Sequence, residues 1–331
     1  MKSLDVHTHV LPPELPGWSP MRVERVEECR ARLLREDGTV FREIQSNCWD
    51  PAARLKECDA AGVGAQVLST VPAFFAYRLP PERGRDLARL LNDHIAGLCR
   101  AHPRRFIGLG TLPMQAPDLA LRELDRCMTD LGLAGVEVGS HVNDWNLSDA
   151  ALFPVFARAE ELGAAVFVHP WDMMGEERMC KYWLPWLVGM PAEVSLAICS
   201  VIFGGVLERL PRLRIAFAHG GGAFAATLGR IEQGFHARPD LVAVDNPHPP
   251  SLYLKKIYVD SLVHDARALR LILDVFGPER IALGSDYPFP LGEARPGSLI
   301  ESLQLPQGVA ERLRSGTALE WLGRRAEAYD L

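Results

Sequence analysis

Short apolar runs rich in β-branched and aliphatic residues recur along the chain, separated by longer stretches whose apolar positions repeat at helical spacing. Eight such runs stand at residues 3–6, 65–70, 106–112, 134–139, 164–168, 214–218, 257–261 and 280–284. Short runs without polar alternation suit parallel strands that helices cover on the outside. Helices are predicted over Pro51–Ala61, Pro81–Ala101 and residues 117–131 and 192–210, each with a proline at or beside its start. There the fixed φ of proline suits the first turn, and its missing N–H is not needed. Eight strand-then-helix units predict an α/β fold of the (β/α)8 TIM-barrel type. An open doubly wound sheet ordinarily carries a glycine-rich dinucleotide loop after its first strand, and none follows here.

Two stretches break the rhythm, residues 11–48 after the first strand and residues 170–191 after the fifth. In a barrel both are βα loops at the C-terminal face, where active sites are built. The first is predicted to be a small insertion within one barrel domain spanning residues 1–331. No internal repeat or low-complexity segment interrupts the pattern.

Composition narrows the partners. The 331 residues are 48% hydrophobic and 24% charged, enough apolar surface to bury a core. A formal net charge of -6 with no basic run argues against nucleic acid, so an anionic substrate would have to be drawn by local arginines. The seven cysteines are scattered, without a C-x-x-C pair, and read as reduced thiols. No apolar leader and no uninterrupted run of membrane-spanning length is found, which predicts a cytoplasmic protein with no membrane partner.

The candidate chemistry lies at the ends of the strand runs. His7 and His9 form an H-x-H, and because strand side chains alternate, both imidazoles can face one ion. An isolated H-x-H is more often a turn or core pair. Here, however, His169 ends the fifth run, His219 the sixth and Asp286 the eighth, so five metal-capable groups would project from one barrel face. Three imidazoles and a carboxylate suit Zn²⁺ or another borderline divalent ion, and leave one histidine for acid–base work. His94, His102, His236 and His248 are assigned to the surface or to helix packing.

This constellation resembles the amidohydrolase superfamily. A closer resemblance, to the muconate-semialdehyde decarboxylases within it, is carried by Asp5-Val-His-Thr-His9, Val40-Phe-Arg42, Asn47-Cys-Trp-Asp50, His169-Pro-Trp-Asp-Met173, Ala218-His-Gly-Gly-Gly-Ala-Phe224 and residues 109–115, 182–193 and 285–293. The resemblance implies one zinc per subunit held by His7, His9, His169 and Asp286, with His219 as the base that activates a water on the metal. It implies that Arg42 and Arg230 hold the carboxylates of a small dicarboxylate semialdehyde, Arg230 reaching across the interface of a homodimer. It also implies that Trp183, Met173 and Phe289 line the pocket. The implied reaction is non-oxidative decarboxylation.

Two rivals stay open at the level of sequence. The same metal-and-histidine assembly serves hydrolases, many of which bridge two metals with a lysine at the fourth strand. The lysines here are Lys2, Lys56, Lys181, Lys255 and Lys256, and none ends a strand run, although Glu137 in the fourth run could bridge instead. A barrel that only binds a ligand is the other. Thr39 stands where a relative can carry lysine, which removes one cation from the first loop.

Overall fold

Side-chain direction along the strands explains where the core sits. The computed structural model describes residues 2–331. The barrel strands are β1 (Ser3–Val10), β2 (Val63–Thr70), β3 (Phe106–Thr111), β4 (Gly135–Gly139), β5 (Ala165–His169), β6 (Arg214–Phe217), β7 (Ile257–Asp260) and β8 (Ile281–Ala282). They pair in parallel in chain order. Backbone bonds from Val6 N–H to Leu283 O at 2.8 Å and from His9 N–H to Tyr287 O at 2.8 Å join the last unit to the first. On β5, Ala165 and Phe167 point into the barrel beside Leu4, Val67 and Leu109. Val166 and Val168 point outward, into the layer shared with the helices.

The covering helices are α1 (Pro51–Ala61), α2 (Pro81–Ala101), α3 (Pro117–Thr129), α4 (Phe153–Leu162), α5 (Met190–Phe203), α6 (Phe224–Ala237), α7 (Ala266–Phe276) and α8 (Thr317–Leu322). Trp321 of α8 plugs the N-terminal end of the barrel, its indole N–H donating to Arg214 O at 3.1 Å. This burial leaves the opposite end for chemistry.

Several boundaries differ from the sequence pattern. β1 runs on to Val10, so the H-x-H lies inside the strand. β8 keeps only Ile281–Ala282, because the backbone turns away into the Asp286 loop. The helix expected over 192–210 begins earlier, in a π-turn over Pro185–Gly189, and stops at Phe203. Gly205, at φ 66, then turns the chain into the separate short helix Val206–Arg209. By length and composition Pro185–Phe203 could cross a membrane. In this fold Val194, Ala197, Ile198, Val201 and Ile202 bury one side of it in the core.

The first irregular stretch carries a three-stranded antiparallel sheet of Met21–Glu27, Arg30–Arg35 and Val40–Gln45. Leu33 and Ile44 pack on Trp49, Val71 and Phe74, which fixes the sheet over the barrel mouth. Its last strand brings in Phe41 and Arg42.

Candidate active site

A register shift in β1 aims the first two histidines. Leu4 pairs with Ala65 and Asp5 with Gln66, but Thr8 pairs with Leu68 and His9 with Ser69. One extra residue has entered β1, and such a bulge turns the strand's inward face from one parity to the other. Leu4 and Val6 therefore fill the barrel, whereas His7 and His9 face its mouth. His169 continues the inward parity of Ala165 and Phe167. Asp286 and His219 both adopt left-handed backbone, at φ 57 and 56, just beyond β8 and β6. Non-glycine residues held there cost about 1–3 kcal/mol each, a strain that clusters at functional sites. After His219 the chain needs glycine, because a Cβ on Gly220 would lie 2.3 Å from Val263 Cγ1 and one on Gly222 2.3 Å from Pro191 O.

The tautomers follow from the outer partners. His7 Nδ1 lies 2.7 Å from Asp260 Oδ2, His9 Nδ1 2.9 Å from Thr70 O and His169 Nδ1 2.9 Å from Pro170 O. Each partner is an acceptor, so each Nδ1 carries the proton and each Nε2 presents a lone pair. All three Nε2 atoms are buried without a hydrogen-bond partner. With an Asp286 oxygen, these donors lie within 4.8 Å of one another. Four inward lone-pair donors, three of them orphaned nitrogens, fit a divalent cation of the borderline class.

Charge within the cluster points the same way. Burial disfavours ionised Asp286, yet the imidazoles of His9 and His7 hold its carboxyl far below the usual carboxylate range. Burial likewise disfavours a proton on His7, but Asp260 and Asp286 push it up to about 9. A proton on His7 and a cation among the Nε2 atoms are alternative answers to the same concentration of negative charge. His219 differs, because burial first and the neighbouring His7 second push it down to about 4, leaving a neutral imidazole at pH 7. Its ring centroid is 5.2 Å from that of His7 and 5.1 Å from that of His169.

Asp260, at the end of β7, was not singled out from the sequence, yet it organises this centre. Besides His7, its Oδ2 accepts the His219 N–H at 2.9 Å, while Oδ1 accepts the Gly220 N–H at 2.8 Å and the Leu262 N–H at 3.0 Å. The signal was available, since Asp260 stands next to the end of the seventh run, at 257–261, much as the histidines stand at the ends of others. Asp5 accepts the N–H groups of His7 and Ser285, and burial pushes its carboxyl up to about 7. The fully buried Arg54 donates to Thr8 Oγ1 at 3.3 Å, to Gln66 Oε1 at 3.1 Å and to His9 O. Glu137 lies beneath the histidines, with Oε1 3.8 Å from His9 Nδ1. Neither of its oxygens finds a hydrogen bond, and burial raises it well above the usual range.

Above the cluster opens a small cavity lined by His9, Arg42, Trp171, Trp186, Asp286 and Phe289, among others. The Arg42 guanidinium lies 4.3 Å from the Phe289 ring centroid, and the Phe289 ring faces His9 at 5.5 Å. A larger apolar cavity of about 290 Å³ adjoins it, reaching His219 between α5, α6 and α7. Two residues expected at the pocket lie elsewhere. Met173 is buried against Gly189. Trp183 is 42% exposed and lies tilted, at 5.9 Å, against Trp186, which, with Trp171, supplies the indole surfaces of the cavity. The spacing in 182–193 favours no one tryptophan until the π-turn sets which faces inward. Arg230 stands exposed on α6 and lines neither cavity of its own chain.

Residues 4–324 match the amidohydrolase family. The chain is 52% identical to a 2-amino-3-carboxymuconate-6-semialdehyde decarboxylase of Dictyostelium discoideum, over 98% of this chain and 93% of that one. The structure of 5-carboxyvanillate decarboxylase from Sphingomonas paucimobilis superposes with a TM-score of 0.78 at 29% identity, covering 85% of each chain. A dihydroxybenzoic acid decarboxylase from Polaromonas, solved with bound manganese and an inhibitor, shares the fold with a TM-score of 0.75 at 23% identity over 86% of this chain and 89% of that one.

Proposed function

The chain belongs to the amidohydrolase family, as one of its carboxy-lyases, and from that premise we propose that it removes CO₂ from 2-amino-3-carboxymuconate 6-semialdehyde with the help of one zinc ion per subunit. The observation that carries the substrate reading is the placement of Arg42 in a cavity that His9, His169 and Asp286 of the four-donor cluster also line. A guanidinium can grip a carboxylate through two parallel N–H bonds, each charge-assisted contact contributing roughly 1.5–3 kcal/mol. Phe289 holds that guanidinium by its ring face, and Trp186 and Trp171 exclude water from the conjugated carbons between the substrate's ends.

His7, His9, His169 and Asp286 would hold the ion, which when bound supplies Lewis-acid charge and acidifies a coordinated water. His219, kept neutral by burial, is the proton carrier. Loss of CO₂ leaves the electrons of the broken C–C bond on the substrate carbon, stabilised through the conjugated system, and that carbon must receive a proton. His219 takes up one proton from solvent water as the reaction begins and passes it to that carbon, so that one carboxylate and one proton become CO₂ and a new C–H bond. Asp260 fixes the backbone that carries the imidazole by accepting the His219 main-chain N–H.

The second carboxylate needs a second cation, and the partner subunit's Arg230 supplies it. Exposure of Arg230 on α6 and the uncovered apolar side chains Tyr182, Trp183, Leu187 and Val188 support a homodimer whose contact brings α6 to the neighbouring cavity. Such an enzyme serves tryptophan–kynurenine or nitroaromatic catabolism, where decarboxylation diverts a semialdehyde that otherwise cyclises to quinolinate.

Metal-loaded protein and freshly generated substrate test this reading directly, with CO₂ and quinolinate followed together. CO₂ release that outruns cyclisation and stops on chelation is the expected result, with elemental analysis returning zinc at one per chain. Release from dihydroxybenzoate instead would move the substrate to the aromatic acids. Manganese with full activity would replace zinc, as the bound manganese of the Polaromonas enzyme suggests.

A further inference from the structure

The histidine after β4 has a hydrogen-bond environment that a neutral imidazole cannot satisfy. His141 Nδ1 lies 2.8 Å from Asn143 O, and its Nε2 lies 3.0 Å from Trp171 O and 2.9 Å from Asp172 O. All three neighbours are backbone carbonyls, which only accept. A neutral ring has one N–H, so one of its ends would press a lone pair against carbonyl lone pairs. Protonation of both nitrogens removes the conflict and gives each end a donor.

The segment this ring holds runs from the metal-ligand candidate His169 across the cavity wall. Asn143 and Asp172 both adopt left-handed backbone, at φ 51 and 52, an arrangement these bonds help hold. From the other side, Glu193 of α5 accepts the Met174 N–H at 2.6 Å. Two carbonyls and one amide of the 171–174 segment are thus pinned by side chains from the loop after β4 and from α5. Trp171 carries the consequence to the pocket, for it lines the cavity and meets Phe41, the neighbour of Arg42, edge-on at 6.0 Å. The charged groups around the ring are the Glu193 carboxylate from α5, on which the positive His141 acts, and Asp172 of the segment itself, bridged at 3.3 Å to Arg78 from the loop after β2.

We propose that His141 is a positioning residue, an imidazolium that clamps the loop after β5 and so sets the Trp171 wall of the substrate cavity. Loss of the donor at either end of the ring loosens the 171–174 segment and weakens substrate binding, without touching the groups that move protons. Only the kinetic consequence rests on the decarboxylase reading; the protonation state of the ring and the loop it holds do not.

The decisive measurement uses the intact enzyme. Long-range ¹H–¹⁵N correlation of the histidine rings should show His141 at pH 7.5 with both nitrogens in the protonated range, and a neutral tautomer there overturns the proposal. In His141→Gln, whose amide can donate to the Trp171 and Asp172 carbonyls but not at both ends, KM should rise about tenfold. kcat should change less than threefold, metal content should stay at the wild-type value, and protease sensitivity should increase within 170–184. A variant with wild-type KM and an unaltered loop refutes the clamp. If the variant does not fold, the ring spectrum of the wild type decides alone. Absence of activity on the muconate substrate in both proteins would indict the substrate, while the ring spectrum would still test the clamp.

Discussion

One carboxylate ties the metal-ligand candidates to His219, the proposed proton carrier. Asp260 receives His7 Nδ1–H and the backbone N–H groups of His219 and Gly220. Removing it leaves a ligand imidazole free to turn and the amides of His219, Gly220 and Leu262 without an acceptor. Outer-shell partners of this kind are worth about 10–100-fold in metal affinity or activity. Asp260→Ala should therefore lower zinc affinity by that order, as read by competition with a chelator, and lower kcat even at saturating metal because His219 is displaced with it. His219→Gln separates the roles: zinc affinity stays within a few-fold of wild type while kcat falls about 10²–10⁴-fold, the usual reach of a positioned acid–base group. Burial depresses the His219 pKa to about 4, so its neutral form prevails throughout the neutral range. The acid limb of the pH–rate profile should therefore fall below the ordinary histidine range, with activity lost only as pH drops toward that value.

At the scale of the element, the tightest constraint lies between β4 and β5. A Cβ on Gly135 would stand 1.9 Å from Ala165 O, inside the strand pairing, whereas Gly97, in α2, has open space around its missing Cβ. Gly97→Ala should stabilise the fold by about 0.5–1 kcal/mol through helix propensity. Gly135→Ala should prise two barrel strands apart and destabilise it by about 3 kcal/mol or more, both read from denaturant midpoints. This contrast also marks what the sequence makes legible. Eight apolar runs expose the barrel because strand length and apolar character survive in any context, and His7, His9, His169, His219 and Asp286 are readable because each closes a run. The β1 bulge is not readable, since one extra residue leaves the apolar pattern of Leu4 and Val6 intact while turning the strand. The sheet within residues 11–48 is masked by its charged, half-exposed strands, whose alternation reads as loop. The inward choice of Trp186 over Trp183 depends on a π-turn that no propensity encodes.

The molecule as a whole should fail first in alkali and work only in pairs. Burial raises the thiols of Cys48 and Cys199 to about 11 and those of Cys58 and Cys99 to about 12, against 9.0 when unburied. The folded state thus favours the neutral thiol. Its contribution is fully present below pH 9 and is lost as pH rises through 11 and 12, so Tm should hold to about pH 9 and fall steeply beyond. The pairing has a stricter test. If each site combines Arg42 of its own chain with the partner subunit's Arg230, then Arg42→Ala and Arg230→Ala homodimers are both impaired in every site. In a hybrid dimer the Arg42→Ala chain has lost its own arginine and faces a partner lacking the other. The Arg230→Ala chain keeps Arg42 and receives Arg230 from its partner, so one of its two sites is whole. Random exchange of equal amounts makes half the dimers hybrids, and activity should return to about a quarter of wild type. If Arg230 served its own chain, every hybrid site would lack one arginine and mixing would restore nothing. Its exposed position on α6, outside both cavities of its own chain, is the reason to expect recovery.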